Sequence, residues 1–208
     1  MSRITELLLV LLTTGVWASA LRGSVAQDPR PGDGRSLALD ELVVKRLRVV
    51  GEDGKDCVVL SNSARFPKPR LGGKEYPRSI APSGMVFYRA NGDECGGVVV
   101  VDSAQGTANM AILDYANNDA IGFGVQESPG GRYSAGLSIS SRPPLDADPM
   151  KAASLARQRI AIRESEGLAQ VVLFDPEGRQ RMLLAVDRNG DPSLRILDVD
   201  GKVLFEAP

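Results

Sequence analysis

The spacing of its acidic-glycine turns constrains this chain more than any other feature. From Leu168 onward, short apolar runs alternate with Asp175-Pro176-Glu177-Gly178, Asp187-Arg188-Asn189-Gly190 and Asp198-Val199-Asp200-Gly201. Apolar runs joined by Asn-Gly or Asp-Gly pair as antiparallel hairpins, because the tight turn needs a positive φ that glycine adopts without steric cost. The sequence therefore places Gly178, Gly190 and Gly201 in β-turns between strands.

The same unit is legible further upstream. Leu42 to Val50 reads as a strand, Gly51-Glu52-Asp53-Gly54-Lys55 as its turn, and Cys57 to Leu60 as the return. Met85 to Arg89 and Gly97 to Val101 flank Ala90-Asn91-Gly92-Asp93, and Met110 to Tyr115 and Ala120 to Val125 flank Asn117-Asn118-Asp119. Tyr133 to Ser140 alternates apolar and small residues as a strand does. Asp148-Pro149 opens the one good helix, over Met150 to Gln158, with Asp148 as its cap and Pro149 at its first position. Arg159 to Arg163 reads as strand again. The expected fold is all-β: antiparallel hairpin or meander repeats in a barrel, sandwich, propeller-like or solenoid arrangement, with one short helix.

At 208 residues the chain is long enough for one such domain preceded by a leader. Leu7 to Leu21 is an apolar run behind Arg3, followed by small residues at Ala18-Ser19-Ala20 and Ser24-Val25-Ala26. It falls short of the roughly 20 residues of a spanning helix, so a cleaved signal peptide is favoured over an uncleaved membrane anchor. Residues 1–26 are thus expected to be a hydrophobic export helix, 27–36 a Pro- and Gly-broken linker, and 37–208 the β domain. Export implies the cell envelope, in the periplasm or outside the cell.

A net charge of −1 gives no expectation of a nucleic-acid partner. Histidine is absent, which removes Ser-His-Asp triads, Cys-His dyads and imidazole metal sites. No phosphate-binding loop, dinucleotide fingerprint or nucleophile elbow occurs, so no cofactor is expected and no catalytic residue is assigned. Asp187 to Asp191 resembles a calcium loop only superficially: Pro192 stands where the loop needs glycine. A turn-stabilising Asp is the better reading there, and no metal site is assigned.

The segment from Ser61 to Ser83 breaks the hairpin rhythm. It carries Arg65, Lys68, Arg70, Lys74 and Arg78 against Glu75 alone, with Phe66 and Tyr76 among them and prolines at 67, 69, 77 and 82. One reading is a solvated loop. The functional reading is an anion- or partner-binding loop using Arg65, Lys68, Arg70, Lys74, Tyr76 and Arg78, suited to an anionic envelope component. Cys57 and Cys95 each stand three residues after a turn glycine, Gly54 and Gly92, so adjacent hairpins would allow a disulfide; two free thiols are the alternative.

The segments RVVGEDGKDCVVLSNSARFP, GKEYPR, GMVFYRANGDECGGVVV, LDYANNDAIGFG and AGLSISSRP resemble an uncharacterised family of bacterial exported or membrane-anchored proteins. The likeness covers residues 40–143, and the Ser-Asn-x-Ala-Arg-Phe-Pro and Gly-Asp-Glu-Cys-Gly-Gly blocks are its most specific parts. It implies an envelope location and transfers no catalytic residue. Two function classes follow. The first is a non-catalytic binding or structural module, in which open sheet edges make a homo-oligomer an option. The second is a carboxylate-dependent hydrolase of envelope glycans built on Asp93, Glu94 and Asp114.

Overall fold

The computed structural model describes residues 37–78 and 80–208. The expected export helix at 1–26 and the linker at 27–36 lie outside the described residues. One compact unit runs from Val43 to Pro208.

In chain order its strands are β1 (Arg46–Val50), β2 (Asp56–Ser61), β3 (Arg70–Leu71), β4 (Lys74–Glu75), β5 (Ser83–Tyr88), β6 (Glu94–Ser103), β7 (Gly106–Asp114) and β8 (Asp119–Glu127). They continue as β9 (Tyr133–Ser140), β10 (Gln158–Ser165), β11 (Leu168–Phe174), β12 (Gln180–Val186), β13 (Pro192–Leu197) and β14 (Val203–Ala207). Helix α1 (Pro149–Leu155) lies between β9 and β10. Twelve strands form one antiparallel sheet, ordered β1-β2-β5-β6-β7-β8-β9-β10-β11-β12-β13-β14, while β3 and β4 pair separately.

The turns explain this order. At Asp175 the backbone N–H bonds the Arg179 carbonyl, and the Gly178 N–H donates back to the Asp175 carbonyl. The same pair of bonds recurs from Asp187 to Asp191 and from Asp198 to Lys202. In each turn the Asp carboxylate accepts two further backbone N–H groups, at Glu177 and Arg179, Asn189 and Asp191, and Asp200 and Lys202. Gly178, Gly190 and Gly201 have φ of 83°, 90° and 81°, the left-handed conformation these turns require. So short a connection leaves the next strand no choice but to pair with the one before it.

Of the barrel, sandwich and propeller-like arrangements expected, the closed barrel is ruled out, since β1 and β14 do not pair. The sheet is single and open, with β1 and β14 as its two edges. Nor is the Leu42–Val50 strand fully formed: pairing with β2 begins only at Arg46. Helix α1 has the expected cap, the Asp148 carboxylate accepting the Met150 N–H at 2.8 Å. It stops at Leu155 rather than Gln158, because the Arg157 N–H donates to Ser141 Oγ and Gln158 already pairs with Ser140.

Candidate functional site

In an antiparallel sheet, residues opposite one another share a face, and residues two apart along a strand do too. The register therefore draws rows across all twelve strands. One row runs Leu47, Leu60, Met85, Val98, Ala111, Phe123, Leu137, Ile162, Val171, Leu184, Leu194 and Ala207. Two residues along, on the same face, the next runs Val49, Val58, Phe87, Gly96, Leu113, Ile121, Ile139, Ile160, Leu173, Met182, Ile196 and Phe205. Neither row contains a charged or hydrogen-bonding side chain.

About half of these residues are exposed, and others, Leu137, Ile139 and Val171 among them, are half-buried. Phe123 and Leu184 are each 53% exposed and Val98 50%. Leu47, Leu60, Leu113, Ile162 and Phe205 are also exposed. Between Ile162 and Leu184 the small residues Ala135 and Ala169 leave a crevice of about 560 Å³, with Leu137 and Val171 along it.

The opposite face is built differently. Its central row is Arg48, Val59, Val86, Gly97, Ile112, Gly122, Ser138, Ala161, Val172, Leu183, Arg195 and Glu206, with small residues in the middle and charges at both edges. Every buried apolar strand residue lies on this side: Val59, Val86, Val99, Ala161, Val172 and Ala185. The folded chain buries its small-residue face and leaves its large-residue face open. That reverses the ordinary preference for burying the larger apolar surface.

The basic segment is more ordered than an irregular loop. Ser63–Arg65 form a single 3-10 turn, and β3 and β4 form a two-residue ribbon with Gly72 and Gly73 at its tip. Asp93 holds the tip by accepting the Gly73 N–H at 3.0 Å. Arg78 is committed internally: one Nη bonds both Glu94 oxygens at 2.9 and 3.2 Å, Nε bonds the Pro67 carbonyl, and the guanidinium lies 5.0 Å from the Phe66 ring centroid. Arg70 meets Glu75 at 3.4 Å. Arg65, Lys68 and Lys74 have no carboxylate partner among the described residues. Tyr76 is half-buried, and its backbone N–H bonds the Pro69 carbonyl.

Of the three acids weighed for a hydrolase, Asp93 is used up in the turn: its carboxylate accepts from Gly73 N–H and from the Asn91 amide. Glu94 is paired with Arg78. Asp114, opposite Asp119 in the β7–β8 ladder, has one carboxylate oxygen buried without a hydrogen bond among the described residues. Burial, reinforced by the charges of Asp119 and Glu94, pushes its pKa up to about 7 despite Arg89 and Arg78. Burial, with Glu94 and Asp56, likewise pushes the Tyr88 phenol up to about 12. Sequence reading missed both shifts, because they depend on what surrounds each group and not on its neighbours in the chain. None of the three main surface hollows is lined by Asp93, Glu94 or Asp114.

Cys57 and Cys95 are both free, the second of the two states the sequence left open. The two hairpins are neighbours in the sheet, but each cysteine lies on the return strand of its hairpin, and β5 separates β2 from β6. Two strand spacings come to about 9.6 Å, beyond the roughly 7 Å that a disulfide spans between Cα atoms.

Fold and surface together define an all-β protein with one large antiparallel sheet, crossed on one face by two uncharged apolar rows. No protein-family model, curated protein or solved structure matches the chain.

Proposed function

We propose that this chain is a non-catalytic binding or structural module of the cell envelope, and that the large-residue face of its sheet is the contact surface. The observation that carries the proposal is the pair of uncharged rows crossing all twelve strands. Contiguous exposed apolar surface beyond a few hundred Å² marks an interaction site, because leaving it in water is unfavourable in proportion to its area. An envelope location, reached through the apolar leader Leu7 to Leu21, agrees with a protein whose chemistry lies in contact. Arg65, Lys68 and Lys74 would add a weaker, salt-sensitive attraction to an anionic envelope component.

A photo-crosslinking residue placed singly at Phe123 or Leu184 tests this in cells making the full chain. A discrete adduct from either position, with none from the exposed Arg195 on the opposite face, is the expected result. Absence of any adduct at both apolar positions would sink the proposal.

A further inference from the structure

We infer that the partner covering this face is a second copy of the chain, packed face to face across the two apolar rows. The inference rests on reading the face as a contact surface and adds what occupies it. Three observations point to self-association.

The first is area. The half-exposed side chains of the two rows offer on the order of 1,000 Å² per copy, so pairing removes about twice that from water, above the roughly 1,200 Å² of a specific interface. The second is self-complementarity. A two-fold interface places the same patch on both sides, which sets charges against like charges unless the patch is neutral. Here the two rows carry no charge; Glu164, in the next row of the same face between Ala135 and Ala169, lines the crevice with its carboxylate accepting from the Tyr133 hydroxyl and the Gly167 N–H. The crevice over Ala135 and Ala169 gives protruding side chains of the other copy a place to enter, the large-into-small fit of packed sheets about 10 Å apart.

The third observation weighs against lipid. Even with the exposed Val100, Val125 and Val186 as a third row, the band is about 14 Å tall, whereas that of a membrane-spanning barrel is about 25 Å. The sheet is also open: the outer backbone groups of β1 and β14 need water or another strand, and hydrocarbon provides neither.

The test is the mass of the purified full chain in solution at micromolar concentration, by sedimentation or light scattering. The expected value is twice the chain's own intact mass. Phe123→Asp with Leu184→Asp should weaken dimerisation at least tenfold with the far-UV circular dichroism unchanged, and Arg195→Ala should leave it intact. A monomeric wild type, or a dimer indifferent to the folded double variant, overturns the inference.

Should the double variant misfold, the crosslinker at Phe123 in the otherwise unaltered chain decides. An adduct at twice the chain mass, joined through apolar-face peptides, supports the dimer. An adduct to lipid or to a different protein, with the chain monomeric, overturns the dimer while leaving the contact-surface reading in place. No adduct at either apolar position defeats both.

Discussion

Arg78 closes over Glu94. Its Nη reaches both carboxylate oxygens, at 2.9 and 3.2 Å, and both side chains are about four-fifths shielded from water. This contact ties the segment after β4 to the start of β6, sixteen residues further along the chain. Removing one partner of such a pair strands the other charge in a poorly hydrated place. Arg78→Ala should lower unfolding free energy by about 1–3 kcal/mol, and Arg65→Ala or Lys74→Ala by less than about 0.5 kcal/mol. Urea denaturation of the three variants checks the ranking, and an Arg78→Ala chain as stable as Lys74→Ala would show the contact to be incidental.

Asp114 gives stability a pH dependence of unusual sign. Its folded pKa, about 7, lies above the ordinary carboxyl value of 3.8, so the folded chain holds more protons between these limits. Stability from this group is fully present below pH 4, falls as pH rises through 7, and is then constant. Asp114→Asn should therefore stabilise the protein at pH 8. The gain should be on the order of 1–2 kcal/mol, the full shift being discounted for a carboxyl that is partly open to solvent. The difference should vanish near pH 4. Denaturation of both chains at pH 4 and pH 8 decides it, and equal stability at both would refute the assignment. Asp187 works in the opposite sense: the Asp191 and Asn189 N–H groups hold its carboxyl below the usual range, so its contribution is lost only as strong acid protonates it.

Two glycines should respond differently to alanine. At Gly201 a Cβ would meet nothing within 4 Å, so only the left-handed φ of 81° opposes substitution, at about 1–2 kcal/mol. At Gly84 φ is 147°, and a Cβ would stand 2.1 Å from the Val98 carbonyl oxygen of the paired strand. No side-chain rotation relieves that clash. Gly84→Ala should cost about 3 kcal/mol or more, or prevent folding. Thermal unfolding would expose the reverse order if the local packing were otherwise.

Thiol titration of denatured, unreduced protein should find two free thiols per chain, from Cys57 and Cys95. A value near zero, with the chain still running at its own mass without reductant, would require β2 and β6 to meet and so would contradict the strand order.

The local elements were readable from residues alone. An Asp followed three positions later by Gly dictates its own turn: the carboxylate satisfies nearby N–H groups and the glycine accepts φ near 80°, neither needing help from elsewhere. Asp148 and Pro149 likewise start α1 through contacts within a few residues. Alternation from Tyr133 to Ser140 revealed a strand with an apolar side. It could not reveal that this side is open, because alternation reports that two faces differ and not which one the fold covers.

Tertiary structure decided everything that depends on distant partners. That Cys57 and Cys95 lie apart follows from β5, legible in the sequence as a strand, taking its place in the sheet between β2 and β6. Arg78 reads as one more cation of a basic loop until folding places Glu94 against it. The Asp114 carboxyl is ordinary in sequence and is altered only by burial beside Asp119 and Glu94. Periodicity with a two-residue repeat determined the strands and their turns, since hydrogen bonding and φ are satisfied locally. Whether twelve such strands split between sheets or pair in one depends on contacts between residues far apart in the chain, and only the folded register showed that they pair in one.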